Sequence, residues 1–155
     1  MKKAARDEPE SRWVVEINET LLEKLGQGGM GTVYLAHDSV LDREVALKLL
    51  TSVKLGTEGR SRLLTEARTV AKLSHPNIVT VFDAGEVDEQ PYVVMEFIQG
   101  KTLDESSIDE YKAIVDITKQ ICTALQYAHD QEIVHRDLKP ENVIIQPDGV
   151  LRLMD

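Results

Sequence analysis

Four glycines stand within the six residues Gly26-Gln27-Gly28-Gly29-Met30-Gly31. That density excludes a helix interior and disfavours a strand interior. On either side the chain reads as strand, Thr20–Leu25 before and Thr32–His37 after, with Val33, Tyr34 and Leu35 supplying β-branched, aromatic and apolar residues. Gly26, Gly28 and Gly31 have the spacing G-x-G-x-x-G. In a dinucleotide site such a run opens a helix. Here a strand follows, so the loop is a flap between two strands. Glycine backbone approaches phosphate oxygens closely and offers N–H donors, which suits a nucleotide's phosphates. An ordinary glycine-rich hairpin reads the same way on this motif alone.

The next strand is Glu44–Leu50, reached by a turn at Leu41-Asp42-Arg43. Apolar residues at Leu63, Leu64, Ala67, Val70, Ala71 and Leu73 have helical spacing over Arg60–Leu73. Ser74-His75-Pro76-Asn77 ends that helix, because proline cannot continue it. Ile78–Asp83 and Pro91–Phe97 read as strands about an acidic turn, Glu86–Glu89. After a break at Gln99-Gly100-Lys101 the pattern turns helical. Leu103–Ile108 has room for a turn or two. Asp109–Asp130 then carries Ile114, Ile117, Ile121, Leu125 and Ala128 on one face. An irregular loop, Glu132–Glu141, leads to a strand Val143–Ile145, a turn Pro147-Asp148-Gly149 and a strand Val150–Met154. The order is an α+β pattern of two unequal parts. We divide it into a tail (1–18), a sheet-rich part (19–98) and a helical part with a hairpin (99–155). Within the tail, Trp13–Ile17 is a short apolar alternation that adds a strand or packs on the sheet edge.

Composition narrows the function classes. Eighteen Lys and Arg against 27 Asp and Glu give a net charge of −9 in 155 residues, which argues against a nucleic-acid binder. The lone cysteine, Cys122, excludes an intramolecular disulfide framework and a multi-cysteine zinc site; it reads as a small buried hydrophobe. No apolar run approaches a membrane span, and residues 1–10 lack the apolar core of a secretory signal, so a cytoplasmic setting is expected. His37, His75 and His129 show no metal-ligand spacing and read as surface or capping residues.

Three further features carry chemistry. Val45-Ala46-Leu47-Lys48 puts a lysine among apolar strand residues, where it must snorkel or meet an anion. Glu66 stands mid-helix in the next element. The third feature is His135-Arg136-Asp137-Leu138-Lys139-Pro140-Glu141-Asn142. This string resembles, without a mismatch, the catalytic loop of eukaryotic-type (Hanks-type) protein kinases. The glycine loop, the Val-Ala-Leu-Lys strand and Glu66 precede it in that family's order. Leu25 to Gly31 is similar to bacterial Ser/Thr kinases in particular, and the resemblance covers about Leu21 to Asp155.

The resemblance implies a protein-kinase-like bilobal fold. The N-lobe would be complete, a five-stranded antiparallel sheet plus one helix, followed by the first part of a helical C-lobe. It implies a Ser/Thr protein kinase that transfers the ATP γ-phosphate to protein hydroxyls with Mg2+. Asp137 would accept or orient the hydroxyl proton, Lys139 would neutralise the γ-phosphate, and Lys139 also favours Ser/Thr over Tyr. Lys48, paired with Glu66, would hold the α- and β-phosphates. Asn142 would hold magnesium, and so would Asp155, which matches the aspartate of an Asp-Phe-Gly motif. Leu25, Val33 and Ala46 would roof the adenine and Ile144 would floor it. Met95 would be the gatekeeper, and the Glu96 carbonyl and Ile98 N–H would meet the adenine edge. Gly26, Gly28 and Gly31 would cover the phosphates. Plain core is the alternative for each apolar residue. His135 would be structural and Arg136 would pair with a phosphorylated activation loop. The sequence ends at Asp155, ahead of the family's activation loop and peptide-docking helices, about two-fifths of such a domain. The apolar face of Asp109–Asp130 is then expected to be partly uncovered. The alternative function is a truncated, non-catalytic nucleotide-binding or interaction module.

Overall fold

The structure, a computed structural model, describes residues 19–28, 31–50 and 56–154. The Trp13–Ile17 segment and Asp155 lie outside the described residues. Two units emerge, one of residues up to 68 with 81–97, the other of 69–80 with residues from 98 onward.

The first unit is a five-stranded antiparallel sheet. Its strands are β1 (Glu19–Gly28), β2 (Gly31–Asp38), β3 (Arg43–Leu50), β4 (Val81–Val87) and β5 (Gln90–Glu96), in the order β1-β2-β3-β5-β4. Period-two alternation gives β3 two distinct faces. Val45 and Leu47 join Ala36 and Val94 in a buried cluster, with Leu21, Leu49 and Tyr92 packed against it. Ala46, Lys48 and Leu50 point the other way. The turn into β3 is held by Asp38, whose carboxylate accepts from the N–H groups of Val40 and Leu41, both at 3.0 Å, and from Arg43 Nε at 3.2 Å. The Arg43 guanidinium also lies 3.7 Å over the Phe82 ring. Helix α1 (Gly56–Val70) is tied to the end of β4 by Arg60, 3.4 Å from Glu86.

Several boundaries differ from the sequence reading. Gly26 to Gly28 and Gly31 belong to strands, because they pair with Val33, Thr32 and each other across the hairpin. Ladder bonds override the poor strand propensity of glycine there. At Gly31 (φ +144°) any Cβ would run into the Leu49 carbonyl on β3, so this position admits no side chain. β4 begins at Val81 rather than Ile78, and Ile78 instead makes a single parallel bridge to Leu153. The β4–β5 turn is tighter than the acidic run suggested, with positive φ at Asp88 and Glu89 only.

The second unit contains β6 (Lys101–Thr102), helix α2 (Tyr111–Asp130), β7 (Val143–Ile145) and β8 (Leu151–Leu153), the strands forming a sheet in the order β6-β7-β8. β6 was not legible as a strand. Its core gathers Leu73, Ile78, Ala124, Ala128, Val143, Leu151 and Leu153. The buried stripe of α2 therefore runs through Ile117, Ile121, Ala124 and Ala128, while Ile114 is 48% exposed. Cys122 is exposed, a correction. It follows Ile121 by one residue, about 100° round the helix and off the buried stripe. α2 ends in a Schellman arrangement: Ile133 N–H donates to Ala128 O and Glu132 N–H to His129 O, both at 2.9 Å, with Glu132 at φ 60°. Ile133 packs on the core, and the chain turns towards His135.

Candidate active site

In the first unit the strand register assembles four of the candidate residues on one sheet face. Val33 pairs with Lys48 across β2–β3, Ala46 pairs with Met95 across β3–β5, and Lys48 pairs with Val93. The Lys48 stem is half-buried between apolar neighbours. Gly26 is the partner of Val33 on β1, which sets the glycine hairpin at the end of the same face. Leu25 is exposed and sits where the β1 register shifts. Ala46 and Met95 are buried, and Glu96 closes β5 opposite Val45. An apolar strip with a lysine beside it and the glycine-bearing ends of β1 and β2 alongside suits the base and phosphates of a nucleotide. Glu66 lies on the exposed side of α1, 55% exposed, with its carboxylate 3.6 Å from Arg62 one turn back.

The second unit carries the His135–Asn142 loop. Its shape is set by an unusual backbone. Arg136 has φ 61°, and Asp137 N–H donates to His135 O at 2.8 Å, closing a three-residue turn. A non-glycine residue there costs on the order of 1 kcal/mol or more, and no glycine or asparagine marks the position in the sequence. The cost is offset by ties on both sides. His135 Nε2 lies 2.9 Å from Met154 O. Asn142 N–H donates to Lys139 O at 3.0 Å within the single 3-10 turn Pro140–Asn142.

These ties converge on Asp137. Its Oδ2 receives Lys139 Nζ at 3.2 Å and Asn142 Nδ2 at 3.1 Å. Asn142 Nδ2 also donates to Asp137 O at 2.9 Å. The Lys139 hydrogen bond holds the Asp137 carboxyl below the usual aspartate range. Partial desolvation opposes it, and the Lys139 charge and the Asn142 amide add to it. The Lys139 and Asn142 side-chain bonds both fall on Oδ2, and Oδ1 takes part in neither. Asn142 spends its amide hydrogens on Asp137, which leaves its carbonyl oxygen as the end that suits a hard cation such as magnesium. Ile98 is buried, and Ile144 is half-buried with Thr102 and Arg152 as strand partners.

Such a glycine hairpin, strand lysine and ordered His-Arg-Asp loop on an α+β scaffold are parts of the protein kinase class of fold, and residues 20–155 match the protein kinase domain family. The chain belongs to that family. It is 45% identical over 149 residues to the serine/threonine-protein kinase PksC of Streptomyces coelicolor, an alignment covering 87% of this chain and 27% of the relative. It is 41% identical over 140 residues to the serine/threonine-protein kinase PrkC of Bacillus subtilis, covering 87% and 22%. The crystal structure of the Mycobacterium tuberculosis PknI kinase domain superposes with a TM-score of 0.75 at 28% identity, covering 88% of this chain and 57% of that one. The chain thus spans about a quarter of the length of these curated relatives. Among the described residues no helix is long and apolar enough to cross a membrane.

Proposed function

We propose that this chain supplies the nucleotide site and catalytic loop of a Ser/Thr protein kinase, which moves the γ-phosphate of ATP to a protein hydroxyl. The observation that carries the reading is the arrangement around Asp137, a carboxylate whose Oδ2 is bonded to Lys139 and Asn142 and whose Oδ1 takes part in neither bond. That oxygen accepts the hydrogen bond of a Ser or Thr hydroxyl and aims its lone pair at the γ-phosphorus. The new O–P bond forms as the bond to the β–γ bridging oxygen breaks, and the hydroxyl proton passes to Asp137 or onward to the phosphate. A carboxylate of lowered pKa is a weak base, so its contribution is chiefly orientation, as a loose phosphoryl-transfer transition state requires.

Lys139, 3.2 Å from Asp137, is flexible enough to turn its ammonium to the transferring phosphoryl group. Lys48 meets the α- and β-phosphates. For Glu66 to orient Lys48, its carboxylate leaves Arg62. Gly26, Gly28 and Gly31 cover the phosphates with backbone N–H groups. Leu25, Val33, Ala46 and Ile144 bound the adenine slot, Met95 limits its depth, and the Glu96 carbonyl and Ile98 N–H meet the base edge. Magnesium, when bound, neutralises phosphate charge; Asn142 and Asp155 are the residues that would hold it.

Transfer of labelled γ-phosphate from ATP to Ser/Thr protein by the full-length protein, compared with transfer to small alcohols, tests this. Protein-directed transfer that is lost in Lys48→Met supports the reading. Nucleotide binding without transfer would favour a non-catalytic module, and an undiminished rate in Lys48→Met would remove Lys48 from the site.

A further inference from the structure

Asn77 is a buried polar residue that the chemistry above does not use. Its Nδ2 donates to Leu151 O and to Gln120 Oε1, both at 2.9 Å. Gln120, at the middle of α2, accepts at that same oxygen from Leu151 N–H at 2.8 Å, and its Nε2 donates to Gly149 O at 3.0 Å. The two amides thus grip both backbone groups of Leu151. Leu153 N–H then donates to Asn77 O at 2.8 Å. One residue on, Met154 N–H donates to Asn142 O at 2.8 Å, and Met154 O meets His135. Asn142 holds Asp137. One string of hydrogen bonds therefore runs from α2 through β8 to the Asp137 carboxylate.

Apolar packing alone does not fix β8 along its axis. Leu151 and Leu153 are both buried, so a slip of two residues would still present a leucine to the core. The hairpin closed by Gln146 N–H to Val150 O and Gly149 N–H to Gln146 O sets which residue lies there, and the two amides fasten that residue's backbone in place. We infer that Gln120 and Asn77 are positioning residues for phosphoryl transfer: they anchor the backbone of β8 and, through Met154, set the placement of Asn142 and Asp137. The inference rests on the kinase reading above.

The test is kinetic, in the full-length protein. Gln120→Ala removes three side-chain hydrogen bonds. It is expected to lower kcat about tenfold, to leave KM for ATP within about twofold, and to raise the Mg2+ concentration for half-maximal rate. Hydrogen exchange at the Met154 amide should quicken in parallel. Gln120→Glu keeps the acceptor for Asn77 and Leu151 but sets an oxygen against Gly149 O, so it should recover only part of kcat. Thr123→Ala deletes an unrelated bond to Lys119 O on the same helix and should change none of these. Wild-type kcat and Mg2+ dependence in Gln120→Ala, or losses equal to those of Thr123→Ala and matched by the folded fraction, would overturn the inference while leaving the kinase reading intact. A wild type that transfers no phosphate would sink the kinase reading, and the positioning role with it.

Discussion

Leu151→Ala puts a number on how rigidly the second unit is packed beneath its catalytic loop. Leu151 is 0% exposed and touches a core in which Ala124 and Ala128 face it from α2. The substitution removes three carbons, about 2.4 kcal/mol of transfer free energy at about 0.8 kcal/mol each. A cavity penalty is added, because alanines on a helix have no side chain to swing into the gap; at roughly 24 cal/mol per Å3 of residual void, even partial retention adds about 1 kcal/mol. The backbone cannot follow, since Gln120 and Asn77 hold both polar groups of residue 151. The expected loss is about 3 to 4 kcal/mol. Hydrogen exchange reads it locally. The Leu153 and Val79 amides are bonded to Asn77 O and Leu153 O, and their protection should fall by roughly two to three orders of magnitude. A loss below about 1.5 kcal/mol would refute the reasoning, showing that the cluster collapses around the missing side chain.

Three further outcomes are expected. The N–H of Leu41 chiefly, then that of Val40 and the Arg43 guanidinium, hold the Asp38 carboxyl below its ordinary value of 3.8 against partial desolvation. A depressed folded pKa stabilises fully above the unfolded value and is lost as pH falls through the folded one. Asp38→Asn should therefore flatten the acid-side decline of melting temperature below about pH 4, and an unchanged slope would contradict this. Glu132→Gly relieves a left-handed residue at the end of α2 and should stabilise by about 0.5 to 1 kcal/mol in denaturant titration; a neutral or lower value would count against the strain. Asp137→Asn should lower the phosphotransfer rate by roughly 10^2 to 10^4 with little change in KM for ATP, and steady-state kinetics showing a wild-type rate would remove Asp137 from the chemistry.

What the sequence made legible was mostly local. Val33, Tyr34 and Leu35 announced β2, and the alternation of Val45, Ala46, Leu47 and Lys48 announced β3 together with the face on which Lys48 lies. Helical spacing located α2 to within two residues at its start. The errors arose where a distant partner decides. Ile78 is apolar and β-branched, yet Leu153, 75 positions away, takes it out of the strand that follows. Lys101 and Thr102 pair with Ile145 and Ile144, and two residues are too few for any periodicity. Cys122 sits in an apolar neighbourhood of sequence, but the buried stripe of α2 runs through Ala124 and Ala128 and leaves Cys122 exposed.

The candidate site divides in the same way. Lys48, Asp137 and Asn142 could be singled out in the chain because the proposed chemistry dictates the residue type. Asn77 could not: after Pro76 it looks like a helix stop, and its partners Gln120 and Leu151 lie 43 and 74 positions on. Nor could the positive φ at Arg136, since no glycine or asparagine marks it. The two omissions are linked. A left-handed arginine beside Asp137 persists only if its flanks are held, and Met154 is one of the groups that hold them, through His135 and Asn142. Met154 is placed by β8, and β8 by the amides of Asn77 and Gln120. If β8 were free to shift, the turn at Arg136 would be expected to relax towards negative φ and to move the Asp137 carboxylate with it.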